Sequence, residues 1–328
     1  MRRLLAALGL LALLTTACSA EQPPAPAPPT AGSACSGPPT VTVANGDELI
    51  EALAGAKPGA VIGLRPGTYS GSFVATTTGT PEAPIAMCGP REAVLDGGAN
   101  DGDYTLHLDG VSHWQLSGFT VSGGQKGVMV DAGQANVVEG LLVERIGDEA
   151  IHLRRASSDN VVRGNTIRNT GLRNEKFGEG VYIGSAESNW CELTACEPDR
   201  SDRNLIEGNT IYGTTSESVD IKEGTTGGVL RGNTFSGEGM TEAESWVDIK
   251  GNGWLITGNT GSGTPEDGYQ VHEILDGWGV DNVFEANLST IDADGFAINV
   301  TKNPERNRVA CDNTADGAGK GLTRKACA

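Results

Sequence analysis

The stretch Arg163-Gly164-Asn165-Thr166-Ile167 decides the fold, because the chain repeats it. It returns as Glu207-Gly208-Asn209-Thr210-Ile211 and as Arg231-Gly232-Asn233-Thr234-Phe235. Weaker copies follow at Thr257-Gly258-Asn259-Thr260 and Glu285-Ala286-Asn287-Leu288, and earlier coils keep the glycine at Gly118 and Gly140. Successive spacings are 22, 24, 44, 24, 26 and 28 residues. A period of this size, with short apolar strands and no helical stretch, describes a β-solenoid. One coil cannot bury its own apolar face, whereas stacked coils bury a continuous core. Asn at a fixed turn position tolerates left-handed backbone and can bond to the Asn of the coil above. The Leu pattern of a leucine-rich repeat and the blade signature of a propeller are both missing. The spacing of 44 reads as one coil plus an insertion, placed at residues 185–203. The fold class is therefore all-β, a single-stranded right-handed parallel β-helix. A short capping helix precedes it: Asn45 caps residues 46–56, where Leu49, Ile50 and Leu53 fall at helical spacing.

Working outward, the N-terminus reads as a targeting segment rather than as fold. Arg2 and Arg3 precede the apolar run from Leu4 to Leu14, and Thr15-Thr16-Ala17-Cys18 follows. A small residue before a lone Cys resembles the lipobox of bacterial lipoproteins, with Cys18 as the lipidated residue. Ordinary secretion with cleavage after Ala20 is the alternative. The expected division is a signal peptide over 1–20, a Pro/Ala-rich linker over 21–39 and the β-helix over 40–328. Removing Cys18 leaves six cysteines, an even number that suits disulfides in an exported, extracellular protein. Of the fifteen pairings open to six cysteines, order and proximity favour Cys35–Cys88, Cys191–Cys196 and Cys311–Cys327. The net charge of −18 argues against nucleic acid and against an anionic membrane surface. It leaves a polyanionic substrate open, because a bound cation can reverse the local field. Membrane contact is expected only through a lipid on Cys18, and the chain is expected to act as a monomer.

Two identical phrases stand 28 residues apart, Val219-Asp220-Ile221-Lys222 and Val247-Asp248-Ile249-Lys250. Side chains alternate along a strand, so each phrase points two apolar residues inward and an Asp and a Lys outward. Aligned by their inward pairs, the coils give a first outward column of His107, Met129, His152, Tyr182, Asp220, Asp248, His272 and Asn299. The second column reads Asp109, Asp131, Arg154, Gly184, Lys222, Lys250, Ile274 and Thr301. The preceding turn adds Glu149, Glu179 and Glu217. Asp is thus expected beside Asp and Lys beside Lys, which is destabilising across strands and points to compensation by a ligand or ion. The insertion carries the Cys191–Cys196 staple and, just before it, Trp190, a candidate platform for a sugar ring. Trp246, Trp254 and Trp278 serve either as platforms or as core.

The coil pattern, the capping helix and the phrase Pro66-Gly67-Thr68-Tyr69-Ser70-Gly71 resemble the pectate-lyase-like superfamily of extracellular β-helices. Within it the chain is most similar to alginate lyases of the chondroitinase B type. Those enzymes carry a Glu five residues before a catalytic Lys, as Glu217 precedes Lys222. On the next coil they carry a catalytic Arg, where this chain has Lys250. The resemblance implies a polysaccharide lyase that acts by β-elimination on a uronic-acid glycan, with Ca²⁺ as cofactor. It implies Lys222 as base, its pKa lowered by Lys250 and the cation, and Lys250 as the residue that positions the sugar or protonates the leaving group. Glu179, Glu217 and Asp220 would hold the cation, and His152, Arg154, Tyr182, Asp248, His272 and Trp190 would contact substrate. Two rival readings are a glycoside hydrolase using Asp220 with Asp248, or Glu179 with Glu217, and a non-catalytic carbohydrate-binding or adhesin-like surface protein.

Overall fold

A computed structural model describes residues 34–328. The signal segment, Cys18 and residues 21–33 of the expected linker lie outside the described residues. The folded part begins ahead of Thr40, because the turn Ala34–Ser36 is tied to the strand Ile85–Cys88 by the Cys35–Cys88 disulfide. Cys191–Cys196 and Cys311–Cys327 are the other two bridges.

The chain winds through three parallel sheets of 11, 10 and 9 strands, and it visits them in turn. One coil runs Val161–Arg163, Thr166–Arg168, Val181–Ile183 and then enters the next at Leu205–Glu207. Strands are only two to six residues long because one to three inward side chains from each fill the narrow interior. Ile151, Leu153, Val162, Ile167, Val181 and Ile183 are wholly buried and join one continuous core. Burying each such side chain contributes roughly 1.5–3 kcal/mol, and only stacking supplies the neighbours that bury it. The helix Gly46–Ala54 closes the N-terminal end with Leu49 and Leu53 turned inward, and Asn45 accepts from the Glu48 amide as its cap.

The Gly-Asn repeat forms the corner between the 11-stranded and the 10-stranded sheet. The left-handed residue is the glycine, with φ +60° at Gly164 and +62° at Gly208, and Ala286 adopts +54° in the weakest copy. The Asn behind it is buried. Asn165, Asn209, Asn233, Asn259 and Asn287 each donate Nδ2–H to Oδ1 of the Asn one coil on, at 2.8–3.0 Å, and the series ends at Asn313. On the outer face of the 11-stranded sheet charges alternate. Glu139 faces Arg163 and Glu207 faces Arg231, with ion pairs of 3.0 and 2.7 Å. The nine-stranded sheet breaks this rule, and the site lies there.

Candidate active site

Backbone register places the first outward column as His107, Met129, His152, Tyr182, Asp220 and Asp248, which are direct neighbours in that order. Gln270 and Asn299 continue it. His272 was expected in this column but belongs to the second, where its amide bonds to Ile249 as the Lys250 amide bonds to Ile221. The cause is local: the strand is Asp267–Val271 and ends before His272. Ile274, expected in the second column, instead lies exposed on the loop beyond.

Like charges do stand on adjacent strands, yet the side chains resolve the repulsion by pairing diagonally. Asp220 receives Lys222 Nζ at 2.8 Å on one oxygen and Lys250 Nζ at 2.8 Å on the other. Lys250 also bonds Asp248 at 2.7 Å, and His272 Nδ1 meets the second Asp248 oxygen at 2.8 Å. The compensation expected from a ligand is therefore supplied from within for these four groups. It also overturns the expected Lys222 pKa. Burial pulls the ammonium down, but the charge and hydrogen bond of Asp220 outweigh it and hold Lys222 well above its ordinary value. Lys250 is likewise pushed up by Asp220 and Asp248 against its burial. Asp248, although buried, is held below the usual carboxylate range by Lys250 and His272.

Among the described residues, Glu179 and Glu217 have no cation of their own. Burial, then the charges of Glu149, Asp220 and Glu217, push the Glu179 carboxyl well up. Burial and Asp220 raise Glu217, whose carboxylate accepts from the Ser216 hydroxyl at 2.6 Å. Glu179 Oε2 is buried and unpartnered. Carboxylate oxygens of Glu179, Glu217 and Asp220 lie within 4.8 Å of one another. An all-oxygen donor set with an orphaned buried oxygen fits a hard divalent cation. Asp220 is the poorer ligand of the three, since each of its oxygens already accepts an ammonium.

A cleft of about 550 Å³ opens over this sheet, lined among others by Glu149, His152, Arg154, Glu179, Tyr182 and Lys222. Lys222 Nζ lies 5.1 Å from the centre of the Tyr182 ring. Burial, with Asp220 and Glu179 behind it, pushes the Tyr182 phenol well up, so it keeps its proton. His152 is buried, its Nε2 at 2.9 Å from the Gly184 carbonyl, and burial pulls its pKa down. A carbonyl only accepts, so Nε2 carries the proton. Glu149 is pulled down to about 2 against its burial by His152 and by Lys126, which bonds it at 2.7 Å. Arg154 is committed to Asp131 at 2.7 Å.

Lys250, Asp220 and Asp248 do not line the cleft; they brace it from beside Lys222. Trp190 is only 7% exposed, with its indole N–H given to the Ser185 carbonyl, so it anchors the insertion and offers no face to a sugar. Trp246 and Trp254 are core. The expected insertion is two loops, not one. Residues 169–180 precede the strand Val181–Ile183 and residues 184–204 follow it, so one wall stands on each side of the cleft. The first wall brings Arg173, Lys176 and Phe177, which escaped the sequence reading because the whole excess length was assigned to the second loop.

These features define a right-handed parallel β-helix with a polar cleft braced by buried ion pairs. A family model for a right-handed β-helix region matches residues 99–199. An alginate lyase from Paenibacillus sp. strain FPU-7 superposes with a TM-score of 0.77 at 33% identity, over 88% of this chain and 97% of that one. The protein belongs to the same family as that alginate lyase. A rhamnogalacturonan lyase (TM-score 0.59, 13% identity, 79% of this chain and 75% of that one) shares the fold alone. So does the ORF18 protein of Geobacillus virus E2, with TM-score 0.58 and 11% identity over 87% of this chain and 59% of that one. No curated protein matches the chain in sequence.

Proposed function

We propose that the protein is a polysaccharide lyase that cleaves a uronic-acid glycan by β-elimination outside the cell, either secreted or held by a lipid on Cys18. The observation that carries this is Lys222 beside Tyr182 in one cleft, backed by the buried Glu179 and Asp220 and the half-buried Glu217. Elimination breaks the C5–H bond next to the sugar carboxylate and the C4–O bond to the leaving sugar, and forms a C4–C5 double bond. Lys222 is the group placed to take the C5 proton, and it does so as the free amine, once the hold of Asp220 that keeps it an ammonium is relieved. Tyr182 keeps its proton and is placed to give it to the leaving oxygen. Lys250 touches no substrate; it is a positioning residue that fixes Asp220 and, through it, Lys222. Ca²⁺ held by Glu179, Glu217 and Asp220 would neutralise the substrate carboxylate and weaken the grip of Asp220 on Lys222. Arg154 and His152 shape the cleft beside this pair.

Hydrolysis by Glu179 with Glu217, or by Asp220 with Asp248, fits less well. It needs one carboxyl raised and its partner lowered. Glu179 and Glu217 are both raised, and Asp220 with Asp248 is tied up by two lysines and a histidine. The test is incubation with a panel of acidic polysaccharides, with Ca²⁺ or with chelator, following ultraviolet absorbance of the new double bond together with reducing ends. Both signals rise for a lyase, and chelation abolishes them. Reducing ends without absorbance would sink the proposal, as would full activity in Lys222→Ala.

A further inference from the structure

We propose that Phe177 and Lys176 together form a uronate subsite on the first wall of the cleft, with Phe177 as the platform for the sugar ring and Lys176 as the anchor for its carboxylate. This rests on the proposed lyase reading and names the sugar contact that reading lacks.

Every other lysine or arginine that lines the cleft is committed to a carboxylate of its own. Lys126 bonds Glu149 at 2.7 Å, Arg154 bonds Asp131 at 2.7 Å, Arg173 Nε bonds Asp148 at 2.9 Å and Lys222 bonds Asp220 at 2.8 Å. Among the described residues, Lys176 alone of the cleft cations has no ion pair, and it is exposed. Its charge is the one available to an incoming anion without displacing a partner. Phe177 stands beside it, 48% exposed and lining the same cleft. A half-exposed aromatic ring over a polar cleft matches the C–H face of a pyranose.

The wall that presents them is held firmly. Asn174 caps the short turn Glu175–Phe177 by accepting from the Lys176 amide. Thr215 donates to the Glu175 carbonyl at 2.7 Å, and Thr170 donates to the Gly178 carbonyl at 2.5 Å. Gly171 and Gly178 press on the Thr215 hydroxyl so closely that a Cβ on either would lie within 2 Å of it, at 1.8 and 1.9 Å. Arg173 ties the wall to Asp148 on the neighbouring coil. A platform fixed in this way loses little freedom when a sugar docks, so the contact is retained as affinity.

The experiment compares wild type, Phe177→Ala, Phe177→Tyr and Lys176→Gln on alginate and on polygalacturonate. Phe177→Ala is expected to raise KM on the order of three- to tenfold with kcat little changed, and Phe177→Tyr to retain the wild-type value. Lys176→Gln is expected to raise KM and to flatten its dependence on salt. Unchanged KM in both Phe177→Ala and Lys176→Gln overturns the subsite and leaves the lyase reading standing. If wild type cleaves neither these polymers nor any other of the acidic panel, the lyase reading fails. The subsite is then judged by affinity electrophoresis through gels holding alginate or its carboxyl-reduced form. Retardation of wild type by alginate that both variants lose supports it; equal retardation of all proteins, or none for wild type, overturns it. Melting curves of the variants accompany each assay, and Lys176→Gln, on an exposed side chain, keeps the test open should Phe177→Ala misfold.

Discussion

Asp220 is the hinge of the charge network, since it alone bonds both lysines of the repeated phrase. Removing Lys250 strands Asp220 and Asp248 with one less cation in a buried place. Lys250→Ala is therefore expected to destabilise the fold by about 3–5 kcal/mol, to be read from urea unfolding, and to lower activity without Lys250 touching substrate. His272 offers a separate test by pH. Its hydrogen bond to Asp248, with the Asp248 charge, outweighs burial and raises its pKa above the ordinary 6.5. A group whose folded pKa is raised stabilises fully below its unfolded pKa and loses that contribution as pH climbs through the folded value. The gap in melting temperature between wild type and His272→Asn should thus be widest near pH 5–6 and close on the alkaline side. The ring is a third exposed, so the gap corresponds to less than about 1 kcal/mol. A gap that widens toward alkaline pH would contradict the assignment.

At the scale of elements, the corner asparagines do what the repeated glycine-asparagine phrase implies. Asn209 accepts from the amide and side chain of Asn165 and donates onward to Asn233. Asn209→Ala leaves buried donors unpaired, and a loss of about 1–3 kcal/mol is expected in denaturant unfolding; Asn209→Asp should recover only the accepting half. This ladder, the coil period and seven of the eight positions in the first outward column were legible in the sequence, because apolar alternation fixes register wherever one face is buried. The coil around Val271 misled because its alternation, Tyr269 and Val271, is followed by Glu273-Ile274, a false continuation past the strand end. The diagonal pairing of Lys250 with Asp220 was not legible, since register gives neighbours but not the direction a long side chain takes. Nor was the burial of Trp190, which depends on how the second loop folds back on Asp199. That buried carboxylate accepts from the Arg155 and Ala156 amides and from the Ser185 and Ser201 hydroxyls.

At the scale of the whole molecule, each coil contacts only its neighbours, so unfolding need not be all-or-none. Hydrogen exchange should show the outer coils opening before the coils from Val128 to Ile249, whose strands are paired on both sides. The Cys35–Cys88 bridge spans 53 residues and pins the N-terminal end. Its removal by the paired Ser substitutions is expected to reduce stability by about 2–5 kcal/mol, with the earliest added exchange in the helix Gly46–Ala54. Uniform loss of protection along all coils would instead indicate a single cooperative unit. The two cleft walls leave one coil, that between Asn165 and Asn209, whereas Lys222 and its bracing partners sit on the two coils beyond. Recognition is therefore concentrated one step along the axis from Lys222 and its braces, with Glu179 and Tyr182, on the coil that carries the walls, joining the two. A change in the length or sequence of either wall would therefore alter which polymer is gripped while leaving Lys222 and its braces in place.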